Sequence, residues 1–261
     1  MNYVLAQDLE QAIKVAEITE RPLLIKGEPG TGKTLLAQYY AKKNNFPIYQ
    51  WHIKSTSKAI DGLYFYDALT RLNDSRFENK SGRDVENADD YIRLQPMGQA
   101  FASDKKSILL IDEIDKADVE FPNDLLLELD KMEFTITETG KMIKAQIRPL
   151  VFITSNNERD LPDAFLRRCV FHYINFPEWD LMTKIVEAHF GDVDKKLLTN
   201  ALDIFYKLRE IDDFTKKPST SELIDWLTVL VRQGTNPDKT LPYIGALLKN
   251  EEDLELVKKC F

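Results

Sequence analysis

Cysteine is almost missing from this chain: Cys169 and Cys260 are the only two in 261 residues, far apart and not in a C-x-x-C arrangement. That usage argues against both a disulfide framework and a zinc site. Histidine is equally sparse. His52, His172 and His189 are scattered with no other His or Cys at ligand spacing, so each reads as an ordinary surface or core residue. Long apolar runs are absent: nothing approaches the ~18 residues that would span a bilayer. The opening residues Met1-Asn2-Tyr3-Val4-Leu5-Ala6-Gln7-Asp8 lack the basic-then-apolar order of a signal peptide. The expectation is a cytoplasmic chain with no membrane contact. Basic charge is also in deficit, since 35 Lys and Arg face 43 Asp and Glu for a net charge of -8. Wrapping nucleic acid is the work of lysine and arginine against phosphates, so nucleic acid is disfavoured as a partner.

What remains is a mixed-charge composition, 43% hydrophobic and 30% charged, large enough for one domain or for a core domain with a smaller attachment. Its most informative stretch is Gly27-Glu28-Pro29-Gly30-Thr31-Gly32-Lys33-Thr34, which fits G-x-x-x-x-G-K-[ST]. The apolar run Leu23, Leu24, Ile25 precedes it and a helical composition from Leu35 to Ala41 follows, the strand-loop-helix context the motif requires. Glycines let the backbone fold into a nest of inward N–H groups at the positive end of a helix, which suits an anion of phosphate size. Lys33 adds a point charge for the outer phosphates, and the Thr34 hydroxyl is placed to ligate a bridging magnesium ion. The candidate binding set is therefore Gly27, Glu28, Pro29, Gly30, Thr31, Gly32, Lys33, Thr34 and Leu35.

Around this loop, residues 8–19 have a helical period, 47–53 read as a second strand, and apolar positions from Ile60 to Leu72 suggest one amphipathic helix. Residues 73–90, rich in Asp, Glu, Asn and Ser, read as a solvated loop. A helix over 97–103 leads to Ser107-Ile108-Leu109-Leu110-Ile111-Asp112-Glu113-Ile114-Asp115, a buried parallel strand ending in adjacent carboxylates. At that edge Asp112 can complete the magnesium shell opposite Thr34, and Glu113 can polarise a water toward the terminal phosphate. Asp115 defaults to solvent exposure or a helix N-cap.

Residues 123–132 form an apolar helix, and Phe134 to Ala145 a β-hairpin candidate about Gly140. Leu150 to Asn156 is a third buried strand that delivers Asn156 to the ligand edge, against the attacking water or terminal phosphate. Arg167 and Arg168 sit on an exposed helical turn, where a guanidinium can reach a neighbouring subunit's transition state. Beyond Pro177 the period is almost wholly helical, over 181–190, 197–208, 221–231, 241–249 and 254–258, with Ser219 or Thr220 as a cap.

G-E-P-G-T-G-K-T, L-L-I-D-E-I-D, I-T-S-N and A-F-L-R-R-C, in this order, resemble an AAA+ ATPase, most closely the MoxR-like branch. The resemblance covers nearly the whole chain. It implies an α/β fold: an αβα three-layer P-loop NTPase core with a parallel sheet over 1–177, followed by a small all-helical lid over 178–261. It also implies insertions at about 60–103 and a hairpin at about 133–146. Its further implications are hexameric rings with ATP and Mg2+ between subunits, Asp112 and Glu113 as magnesium-coordinating and water-activating residues, and Asn156 as the sensor of the terminal phosphate. Arg168, with Arg167 as second choice, becomes the arginine finger. The chain departs from the family at the second sensor, where Ser219 replaces the arginine, and Lys217 is the substitute cation to test. Members of this branch are similar to chaperone-like remodelling factors that act with von Willebrand factor A domain proteins. The expected function is thus ATP-driven remodelling of a protein partner, with a nucleotide-gated scaffold, a small-molecule kinase and a nucleic-acid remodelling ATPase as the competing readings.

Overall fold

The computed structural model describes residues 3–77, 82–191, 193–237 and 241–260, with the side chains of Lys259 and Cys260 outside it. Glu78 and Lys80 of the acidic segment, and Met1 and Asn2 of the N-terminal stretch, also lie outside the described residues. The chain divides into two compact units, one of Leu5–Gly27 and Lys33–Ile174, the other of Met1–Val4, Glu28–Gly32 and Asn175–Phe261.

In the first unit, α1 (Gln7–Thr19) buries Leu9, Ile13 and Ala16 at helical spacing and ends on Glu20 in the left-handed region. β1 (Leu23–Gly27) follows, then α2 (Lys33–Asn44) and β2 (Ile48–His52). Where a single helix is expected over 60–72, the chain instead forms α3 (Ala59–Leu63), the strand β3 (Tyr64–Tyr66) and α4 (Ala68–Arg76). The aromatic run Tyr64-Phe65-Tyr66 favours extended backbone and finds an antiparallel partner in β4 (Ile92–Leu94), so pairing overrides the helical period. Asp67 then restarts the helix as its N-cap, its side chain accepting from Thr70 N at 3.0 Å. The expected loop of 73–90 is correspondingly shorter, because α4 runs to Arg76 and Ala88–Tyr91 form a 3-10 turn.

α5 (Pro96–Phe101) carries Gly98, where an added Cβ would sit 2.0 Å from the Leu63 carbonyl oxygen. β5 (Ile108–Asp112) is buried at every position, as expected for a parallel strand covered on both faces. The helix expected over 123–132 is interrupted at Leu125 into α6 (Phe121–Asp124) and α7 (Leu126–Lys131). β6 (Glu133–Thr135) and β7 (Met142–Lys144) form the anticipated hairpin, and β8 (Leu150–Ser155), α8 (Asp163–Leu166) and β9 (Val170–Ile174) complete the unit. The main sheet has the order β2-β5-β8-β1-β9, with every pairing parallel. The C-terminal ends of β1, β5 and β8 thus share one edge, the position at which open α/β sheets bind ligands. An α/β core with flanking helices and a helical C-terminal region is the fold class the sequence implied.

The second unit contains α9 (Trp179–Phe190), α10 (Lys195–Arg209), α11 (Thr220–Gln233) and α12 (Glu251–Cys260) around a core that includes Phe205, Leu223, Trp226 and Leu230. Trp226 buries its ring while its N–H donates to Pro242 O at 2.7 Å. Ser219 is the N-cap of α11, and its N–H donates to Glu222 Oε2 at 2.7 Å. The helix expected over 241–249 is only a 3-10 turn at Ile244–Ala246, because Leu241 and Tyr243 both take positive φ and break the helical path. Among the described residues no helix is long and apolar enough to cross a membrane.

Candidate nucleotide site

β1 is buried because β8 and β9 flank it, and this fixes where the chain must turn at Gly27. Gly30 and Gly32 then adopt φ of 77° and 85°, the left-handed backbone a nest requires. At Gly30 a side chain is also excluded by space, since an added Cβ would lie 2.7 Å from Ser219 Cβ. The Thr31 N–H and hydroxyl both donate to Glu28 O, at 3.4 and 2.9 Å, tightening the loop from within. Lys33 is buried, and its Nζ donates to Gly27 O at 2.8 Å, which anchors the ammonium beneath the loop. Leu35 points outward and is exposed.

Asp112 is buried at the tip of β5, with two hydroxyl donors on one carboxylate oxygen and an imidazole beside the other. Thr34 Oγ1 donates to its Oδ1 at 2.9 Å and Thr154 Oγ1 to the same oxygen at 2.7 Å. His52 Nδ1 lies 3.1 Å from Oδ2, its ring presented by the adjacent tip of β2. Thr154 has a second task, accepting the Glu113 N–H at 2.8 Å. That bond holds Glu113 at φ 62° and ψ 51°, a left-handed conformation costing a non-glycine residue roughly 1 kcal/mol or more. From there Glu113 Oε1 accepts from Asn156 Nδ2 at 3.1 Å, while Oε2 accepts from Lys116 Nζ at 2.5 Å. Hydrogen bonding to Glu113, reinforced by its charge, raises the Lys116 ammonium above its usual range.

Asp115 departs from both of its expected placements. It is buried, and its carboxylate accepts Asn156 N at 3.3 Å and Glu158 N at 2.9 Å. Those bonds shape the turn after β8 and so orient Asn156. Neighbouring Asn157 accepts from Lys26 Nζ at 3.2 Å, tying that turn to the end of β1.

The structure does not bring every candidate to this cluster. Arg168 Nε donates to Asp130 Oδ2 at 2.9 Å and its Nη1 to Ala164 O, while Arg167 is exposed. Beside them, burial and the Asp130 charge push the Cys169 thiol up to about 12. Lys217 is paired with Asp212 at 3.5 Å, and Ser219 serves as a helix cap. Conversely, Thr154, His52, Lys116 and Arg209 escaped the sequence reading. Thr154 carried a signal, a hydroxyl two positions before the strand-end Asn156; the others become recognisable only through their neighbours.

The residues fit a magnesium-bound nucleotide. Thr34 and Asp112 place a hydroxyl and a carboxylate together, the oxygen chemistry of magnesium, which keeps waters and substrate phosphates in its shell. The loop glycines and the buried Lys33 supply the anion cradle.

A family model described as "AAA domain (dynein-related subfamily)" matches residues 22–169. A comparison with curated proteins finds no match. The matched stretch spans more than half of the 261 residues and contains the loop, both acidic strand-end residues and Asn156. The chain therefore belongs to the AAA family, within its dynein-related subfamily, and is an AAA+ ATPase.

Proposed function

We propose that this protein hydrolyses Mg-ATP at the tips of β1, β5 and β8 and uses the cycle, as an oligomeric ring, to remodel a protein partner in the manner of the MoxR-like branch. The observation that carries the catalytic part is Asp112 bonded to Thr34 beside Glu113 bonded to Asn156. In this reading Gly27 to Leu35 cradle the phosphates, Lys33 neutralises charge on the outer ones, and Thr34 with Asp112 holds the magnesium ion. When bound, that ion offsets the negative charge that accumulates on the transferring phosphoryl group.

Glu113 is the general base: a carboxylate oxygen accepts a proton from the attacking water. Asn156 and Lys116 each donate to one of its oxygens, and each oxygen keeps a second lone pair for the water's proton. Asn156 orients that carboxylate and offers its amide to the terminal phosphate. Arg168, with Arg167 as the alternative, reaches a neighbouring copy as the arginine finger, which requires Arg168 to leave Asp130. The charge deficit and the absence of an acceptor-hydroxyl signature favour a protein partner, one with a von Willebrand factor A domain being the first to try, over nucleic acid or a kinase substrate.

The test combines Mg-ATP binding and turnover with a pull-down. Wild type should bind Mg-ATP, and Lys33→Ala should lose binding and turnover. Glu113→Gln held in ATP should retain a defined partner and assemble six-fold by mass. Full turnover in Lys33→Ala would overturn the ATP site, whereas full cellular function in Glu113→Gln would favour a nucleotide-gated scaffold.

A further inference from the structure

The second compact unit contains both the phosphate-loop residues Glu28–Gly32 and an arginine held against them from far along the chain. Arg209, the last residue of α10, has a side chain only 11% exposed, and its Nη2 donates to Glu28 Oε2 at 2.6 Å. Its Nη1 donates to Pro218 O, also at 2.6 Å, and the guanidinium carbon lies 3.4 Å from the Phe176 ring centroid. Aromatic stacking and a backbone carbonyl therefore fix the plane of the guanidinium independently of Glu28. Glu28 is the looser member, with a side chain 47% exposed.

This asymmetry has an electrostatic meaning. A buried guanidinium stays charged and is costly without an anion, so Arg209 needs a negative partner in every state of the protein. Glu28 supplies one from within a loop whose Gly30 and Gly32 conformations suit an anion. Carboxylate and phosphate offer arginine equivalent pairs of acceptor oxygens. A polyanion entering the loop repels Glu28 by like charge, and a half-exposed carboxylate can turn into water at little cost. Of the two positions the sequence offered, Ser219 carries no charge and caps α11, and Lys217 has a side chain 38% exposed beside Asp212, whereas Phe176 and Pro218 fix the Arg209 guanidinium.

We propose that Arg209 is a phosphate ligand of the bound nucleotide and that Glu28 is its placeholder, occupying the guanidinium until a phosphate oxygen displaces it. The proposal rests on the ATP reading and names the cation that replaces the second sensor in this chain.

The experiment is Mg-ATP titration of the full chain as wild type, Glu28→Gln, Arg209→Ala, Arg209→Lys and the Glu28→Gln/Arg209→Ala double variant, each checked by thermal melting. Removing the competitor should tighten Mg-ATP about two- to fivefold in Glu28→Gln, the range of a half-exposed ion pair. Arg209→Ala should weaken it by about tenfold or more, with Arg209→Lys in between, since lysine keeps the charge and loses the fork. The double variant should match Arg209→Ala, because without the arginine Glu28 has nothing to withhold. If the pair merely braces the loop, Glu28→Gln weakens Mg-ATP as well, and the proposal is wrong. Should Arg209→Ala fail to fold, the sign of the Glu28→Gln change still decides. Loss of this inference is separable from loss of the ATP reading, which fails only if wild type does not bind Mg-ATP or Lys33→Ala binds it normally.

Discussion

Asn156 Nδ2 donates to Glu113 Oε1 over 3.1 Å, so the amide beyond β8 and the carboxylate beyond β5 form one hydrogen-bonded pair. A carboxylate that must accept a water's proton needs its orientation set in advance, and this bond sets it.

Substitutions in the pair should therefore act on turnover more than on binding. Glu113→Gln is expected to lower kcat by about a hundredfold to a thousandfold, and Asn156→Ala by about tenfold or more. The dissociation constant for Mg-ATP should stay within about twofold of wild type in both. The double variant should be no slower than Glu113→Gln alone, as residues acting as a unit are non-additive. Steady-state kinetics with equilibrium binding checks this; an Asn156→Ala change confined to KM would contradict it.

Thr154 joins Asp112 to the Glu113 backbone with one hydroxyl, donating at 2.7 Å and accepting at 2.8 Å. Thr154→Val keeps the shape and strands the Glu113 N–H, at a cost of about 1–3 kcal/mol. Lower melting temperature together with a higher Mg2+ requirement for turnover is the expected result. Unchanged Mg2+ dependence would show that Asp112 does not rely on Thr154.

Glu222 links stability to pH. Burial pushes its carboxyl up, but hydrogen bonds from Ser219 and the Lys216 charge outweigh this and hold it below the usual carboxylate range. A carboxyl lowered in the folded state adds stability that is complete above its unfolded value, near pH 4.5, and is lost as pH falls through the folded value. Glu222→Gln should cost about 1 kcal/mol at neutral pH and show a smaller further loss on acidification than wild type. Thermal melts from pH 7 to pH 3 make the comparison, and parallel curves would refute it.

Gly98 tests the packing beneath the inserted strand pair. Because a Cβ there meets the Leu63 carbonyl at 2.0 Å, Gly98→Ala must displace backbone, and a loss of about 3 kcal/mol or more is expected by chemical denaturation. Near-wild-type stability would mean that α5 can shift away freely.

Much of the architecture was legible because its determinants are contiguous. A buried parallel strand reads as an unbroken apolar run, and β5 and β8 announced themselves that way. Where two local tendencies compete, adjacency misled. Tyr64 and Tyr66 read in sequence as part of an apolar helical stretch from Ile60 to Leu72, yet β4 captures Tyr64–Tyr66 as a strand, and Leu125 divides an apparently continuous helix.

The chain's linear order alone determined the loop-helix junction at Lys33 and Thr34, the acidic end of β5, and the Ser219 start of α11, since backbone chemistry within a few residues dictates each. Only the folded arrangement decided which side chains answer them. His52 and Thr154 meet Asp112 because parallel pairing aligns their strand ends. Asp115 turns inward because two N–H groups beyond β8 need an acceptor there. Arg209 meets Glu28 across 181 positions because the loop residues Glu28–Gly32 and α10 belong to one compact unit, a long-range pairing that no local pattern encodes.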